Sequence, residues 1–146
     1  MTTTRRDACF LLGTFVPVLG SWVTLAADQN GLPSATFAFD QLPARVSGSA
    51  EIRPILRGQL PTGESLEVHE TTLSPGGAPH APHHHVHSEM WLIREGKVEL
   101  TINGASRVLG PGSLGFVRSN DEHGIKNTGS TPATYFVVAV GPGAGS

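Results

Sequence analysis

A chain of 146 residues has the length of one domain. Only 15% of the residues are charged, the formal net charge is -2, and no block of like charge occurs, so the basic face that nucleic-acid binding needs is missing. The 18 glycines and 11 prolines, beside 38% hydrophobic residues, suit many short strands joined by turns rather than a disordered chain.

Residues 1–27 read as an export signal. Arg5-Arg6 is followed by an uncharged stretch from Ala8 to Ala27, with small residues at Ala26 and Ala27 where cleavage is expected. The arginine pair and the weak hydrophobicity of the stretch resemble a twin-arginine signal, although Phe10-Leu11 stands further from the arginines than usual. Pro17, with Gly13, Thr14, Gly20 and Ser21, argues against a stable membrane-spanning helix. The mature protein, residues 28–146, is therefore expected in the periplasm or outside the cell, with no stable membrane span. Cleavage would remove Cys9, the only cysteine, and with it any thiolate chemistry.

Along the mature chain, residues 28–34 form a polar linker and Thr36–Phe39 a short candidate strand. Residues 49–60 and 65–73 read as strands around the turn Pro61-Thr62-Gly63, with Pro54 forcing an edge or a bulge. Residues 74–77 are a turn, and residues 90–95 are a short apolar run ended by Gly96. Val98, Leu100 and Ile102 alternate with polar residues and run into Asn103-Gly104, the mark of a tight hairpin. Residues 107–109 would return, residues 114–117 form another strand, and residues 134–140 form a final apolar one. The frequent turn signals and the lack of a helical period predict an all-β sandwich or barrel.

Five histidines lie between His80 and His87, and Glu89 follows. On an extended strand His83, His85, His87 and Glu89 would share a face, and imidazoles with a carboxylate make a divalent first-row metal site. The alternative is a histidine-rich surface loop that scavenges metal. Strand parity does not choose between His83 with His85 and His85 with His87.

Spacing extends the pattern. Gly77, His83, His85, Glu89 and Gly96 resemble the first cupin motif over residues 77–96, and Gly112, His123 and Asn127 resemble the second over residues 112–127. Arg118 and Asn120 depart from the usual Pro and Gly of that second motif. The resemblance covers about residues 64–140. It implies a cupin double-stranded β-helix, a jelly-roll β-barrel, holding one divalent transition metal on His83, His85, Glu89 and His123. His87 would then sit at the barrel mouth, His80 and His84 would face solvent, and His69 would be structural. Trp91 and Ile93 share the parity of Glu89 and are expected to line the barrel.

Three imidazoles and one carboxylate suit Mn, Fe, Co, Ni, Zn or Cu, and affinity alone favours Cu and Zn. Twin-arginine export moves folded proteins, so loading in a copper-poor cytoplasm would favour Mn or Fe. The family resemblance implies a metal-dependent oxidoreductase of dioxygenase type acting on a small organic molecule, with isomerase or lyase chemistry behind it. A non-catalytic module that binds metal or a small ligand is the alternative. No general acid or base stands out, so catalytic residues are not assigned. A homodimer is expected, packed through residues 36–39 and 49–60, whose apolar side chains (Phe37, Phe39, Ile52, Ile55, Leu56) exceed the needs of a leader.

Overall fold

A computed structural model describes residues 31–145. The export signal expected over residues 1–27 lies outside them. Nine strands follow in chain order: β1 (Arg45–Ser47), β2 (Ala50–Gln59), β3 (Ser65–Leu73), β4 (Ser88–Glu95), β5 (Val98–Ile102), β6 (Ala105–Leu109), β7 (Leu114–Val117), β8 (His123–Asn127) and β9 (Ala133–Val140). They form two antiparallel sheets, ordered β1-β2-β3-β9-β4-β7 and β6-β5-β8. This is the all-β arrangement that the turn spacing predicts, in the jelly-roll form that the cupin resemblance implies.

The core lies between the sheets. Leu73, Trp91, Ile93, Val117, Tyr135 and Val137 from the larger sheet meet Val98, Leu100 and Ile125 from the smaller one, all buried. Period-two alternation produces this face: in β9 the residues Ala133, Tyr135, Val137 and Ala139 point inward, while Phe136, Val138 and Val140 are only partly buried. Packing at this density makes truncation costly, about 2–5 kcal/mol for a buried Leu to Ala.

Local chemistry sets the connections. Asn103 (φ 47°) and Gly104 (φ 80°) both take left-handed dihedrals, the requirement of the two-residue turn that matches strand twist. Gly96 ends β4 at φ 75°, and a Cβ there would stand 2.6 Å from the Pro132 carbonyl oxygen, so no other residue fits. Pro54 lies at a bulge, where the β2–β3 register shifts before Leu56. It also stands where β2 is an edge, because β1 pairs only with residues 50–52.

The strand expected over Thr36–Phe39 does not form. Phe39–Gln41 is instead a 3₁₀ turn closed by Leu42 N–H donating to the Phe39 carbonyl, and residues 36–38 have no partner strand. Strands β1 and β8 are additions to the sequence reading. Among the described residues no helix is long and apolar enough to cross a membrane.

Asn127 ties the second motif to the barrel. Its side chain is fully buried (0% exposed). Its amide Nδ2 donates to the carbonyls of Leu73 (3.0 Å) and Thr131 (2.9 Å), and its Oδ1 accepts from Gly129 N–H at 2.8 Å. Both amide protons and the carbonyl oxygen are thus directed at three backbone groups.

Candidate metal centre

The histidine tract is not a strand. Residues 84–87 have irregular backbone, and only Glu89 belongs to β4. Hydrogen bonds from the second motif hold the tract in place. His83 and His123 exchange both backbone hydrogen bonds (3.0 and 2.9 Å), Asn120 N–H donates to the His85 carbonyl at 2.8 Å, and Ser119 N–H donates to Ser88 Oγ at 3.1 Å. Asn120 adopts φ 66°, so it takes the left-handed conformation that the motif ordinarily gives to glycine. Further back, Gly76 and Gly77 hydrogen-bond to Asn127 at 3.1 and 2.8 Å. The segment 76–83 therefore runs beside the edge of β8 that β5 leaves free.

These constraints bring the expected residues together. His85 Nε2 and His123 Nε2 each stand 3.4 Å from Glu89 Oε2. The rings of His83, His85 and His123 form a triangle with centroid separations of 4.7–5.2 Å. Two overlapping sets, His83/His85/His123 and His85/His87/Glu89, each have one donor atom per residue within 4.8 Å of the others. Donors bound at about 2.0–2.2 Å to one ion are separated by roughly 3 Å, so the arrangement is close to a coordination shell.

The hydrogen-bonding state of the rings fits a cation. His85 Nδ1 is 2.9 Å from the His87 carbonyl and His123 Nδ1 is 3.0 Å from that of Asp121. A carbonyl only accepts, so each Nδ1 carries a proton and each Nε2 faces inward, the atom through which a metal could be bound. Those two Nε2 atoms, with Nδ1 of His83 and of His87, are buried without a hydrogen-bond partner. Buried nitrogens left unpaired are costly unless something binds them, and the two Nε2 atoms converge on Glu89.

Electrostatics agrees with the donor chemistry. Burial, and then the neighbouring His80, His123 and His85, pushes His83 down to about 4, so it is neutral at pH 7. Burial raises Glu89, but the His123 and His85 contacts outweigh it and hold the carboxyl below its usual range. Burial likewise lowers His123, yet Glu89 and the Asp121 carbonyl more than offset this and keep the ring basic. A metal would have to displace that proton.

The other histidines separate by position. His87 is drawn further in than its expected place at the barrel mouth: its ring stacks on His85 at 3.5 Å and its Nε2 lies 4.0 Å from Glu89 Oε1. His84 is exposed. His80 is also exposed, but its ring packs edge-on against His83 at 4.2 Å. His69 is hydrogen-bonded to Glu67 at 3.1 Å, as a structural histidine should be. Trp91 is core, and it also lies 5.3 Å from the His123 ring.

A cavity of about 210 Å³ opens beside the cluster, touching Glu89, Trp91 and His123. Three of its walls, Ile52, Thr71 and Tyr135, come from β2, β3 and β9. Sequence reasoning missed the roles of Thr71 and Tyr135. Neither belongs to a motif, and only the sheet order brings them near His123.

The family model for the cupin domain matches residues 69–139. Mannose-1-phosphate guanylyltransferase of Klebsiella pneumoniae is 33% identical over 67 residues, covering 46% of this chain and 14% of that enzyme. The chain thus spans a small part of the curated relatives it first matches. An RmlC-like cupin from Shewanella frigidimarina superposes with a TM-score of 0.64 at 18% identity, over 78% of this chain and 96% of that one. A protein described as a predicted oxalate decarboxylase, from Thermotoga maritima, gives 0.63 at 20% identity, over 73% and 99%. The family match over residues 69–139 and the superpositions agree on one fold for the described residues, a cupin-type β-barrel, here with a histidine and glutamate cluster that could hold a metal ion.

Proposed function

We propose that the chain is an exported, mononuclear metal-binding cupin that acts as an enzyme on a small organic molecule, with dioxygenase-like oxidation as the favoured chemistry. One observation carries the metal assignment: the buried Nε2 atoms of His85 and His123 converge on Glu89 without hydrogen-bond partners, with His83 grouped beside them. His83, His85, Glu89 and His123 would hold the ion, with Mn or Fe favoured. When bound, the ion supplies a Lewis acid and a template for substrate oxygens.

The protein's own contribution is positional. The carbonyls of His87 and Asp121 orient the two Nε2 atoms inward, and the Trp91 ring packs 5.3 Å from that of His123. Tyr135 is buried, and burial together with the Glu89 charge raises its phenol, so it remains a neutral hydrogen-bond donor. The adjoining cavity favours an enzyme over a module that only sequesters metal, because a sequestering site needs no room for a second molecule.

Elemental analysis of the native protein should return one transition metal per chain, and O2 uptake should appear with a phenol or a dicarbonyl. A metal-free native protein defeats the assignment. Full metal content with no turnover of either class leaves the non-catalytic binding module.

Two further proposals concern the whole protein. Export would depend on Arg5-Arg6, and unimpaired secretion of the Lys-Lys variant would count against the twin-arginine route. The chain would also pair as a homodimer. The contact would draw on Phe39, on Val46 and on the edge of β2 beyond Ile52, which pairs only with β3. A strictly monomeric mass by light scattering would remove this proposal.

A further inference from the structure

The cavity beside the cluster has a distinct chemistry. Ile52, Ile125, Val137 and Trp91 supply apolar walls, and the hydrogen-bonded side chains of Thr71 and Tyr135 supply a neutral polar point, while His69, held by Glu67, and the exposed His80 also line it. No lysine or arginine among the described residues lines it. Arg53, Arg94 and Arg118 are each engaged by a carboxylate elsewhere, Glu51, Glu70 and Asp121 respectively.

We infer that this cavity takes a molecule with a single ring-sized apolar body and at most one negative charge, and that it rejects phosphorylated sugars and dicarboxylates. The inference rests on the metal assignment above for its charge balance. A divalent ion beside the Glu89 carboxylate leaves one net positive charge, enough to neutralise one anionic oxygen. A second negative charge would lie against Ile52, Ile125 and Val137 with no lysine or arginine to pair it and with His69 already engaged by Glu67, and burying an unpaired charge is strongly unfavourable.

Size points the same way. An apolar cavity of about 150 Å³ holds benzene, so about 210 Å³ accommodates one substituted ring. The volume falls short of the roughly 300–1,000 Å³ typical of drug-sized ligands. The Thr71–Tyr135 pair can donate to or accept from a ring hydroxyl or carbonyl without adding charge.

Calorimetric titration of the metal-loaded full chain tests the assignment, with benzoate, phthalate and glucose 6-phosphate as probes. Benzoate should bind at least about tenfold more tightly than either dianion. Equal or tighter binding of phthalate or glucose 6-phosphate would overturn the inference, as would no binding of benzoate. Ile52→Lys places a cation in the wall and should narrow the benzoate–phthalate gap by about fivefold or more. An unchanged gap means that the probes do not sit in this cavity. Metal content measured on the same samples separates the two readings. A metal-loaded chain that accepts the dianions keeps the metal centre and loses the charge rule. A metal-free chain loses the metal centre and with it the charge balance on which the rule rests.

Discussion

The two halves of the donor set are built in contrasting ways. His123 opens β8, is 2% exposed, and has backbone partners on both sides, Ile102 in β5 and His83 in the bridge. The stretch from His83 to His87 has irregular backbone and is held by contacts from elsewhere, chiefly Asn120 and His123. One half offers a single donor in a fixed place, and the other offers several donors with little register of their own. Precision at this centre comes from the sheet, and multiplicity comes from the loop.

Substitutions can break this contrast or sharpen it. The largest effect is expected for His123→Ala, since no neighbouring histidine can take over from a buried ladder position. Its metal affinity should fall by more than the roughly 10–100-fold that loss of a supporting contact costs, read by chelator competition. His83→Ala, His85→Ala and Glu89→Ala should likewise strip most of the metal. A His87→Ala variant that empties the site while His83→Ala leaves it full would show that the His85/His87/Glu89 set is the true one.

Next in size is Asn127→Ala, which leaves the carbonyls of Leu73 and Thr131 and the Gly129 N–H short of their buried partner. It should lower unfolding free energy by about 2–4 kcal/mol in a denaturant titration. A loss below about 0.5 kcal/mol, the scale of ordinary surface changes, would mean that water replaces the amide without penalty.

His87→Ala should have a smaller consequence. Its ring packs on His85 and its carbonyl, which the mutation retains, sets the His85 tautomer, so affinity should change by less than about tenfold. The smallest effect belongs to His84→Ala, where an exposed ring is removed and metal content should not change.

Much of this was legible in the chain because the deciding signals were local. Strands β3 and β7 begin and end where alternation and turn residues place them, and the Asn103-Gly104 hairpin follows from two adjacent residues. Strand β8 was hidden because its inward face is His123, Ile125 and Asn127, two polar residues around one apolar residue, so no hydrophobic period exists to be read. Strand β1, three residues long and exposed throughout, carries no burial pattern at all. At the centre, the motif spacing selected residues that the fold does assemble. The inward position of His87 and the cavity walls Thr71 and Tyr135 depend on loop conformation and strand order, which have no linear signature.

The bridge between His83 and His123 also bears on linkage between metal and folding. An unfolded chain still carries five histidines between His80 and His87, a local cluster that can capture a cation without any barrel. A ligand stabilises the native state only by the margin with which it prefers that state over the unfolded one. Here the margin comes from His123, the donor remote in sequence that joins the tract only after the two sheets have met. The rise in melting temperature on adding metal therefore reports the contribution of that one residue, and in His123→Ala it should largely vanish even where some metal still binds.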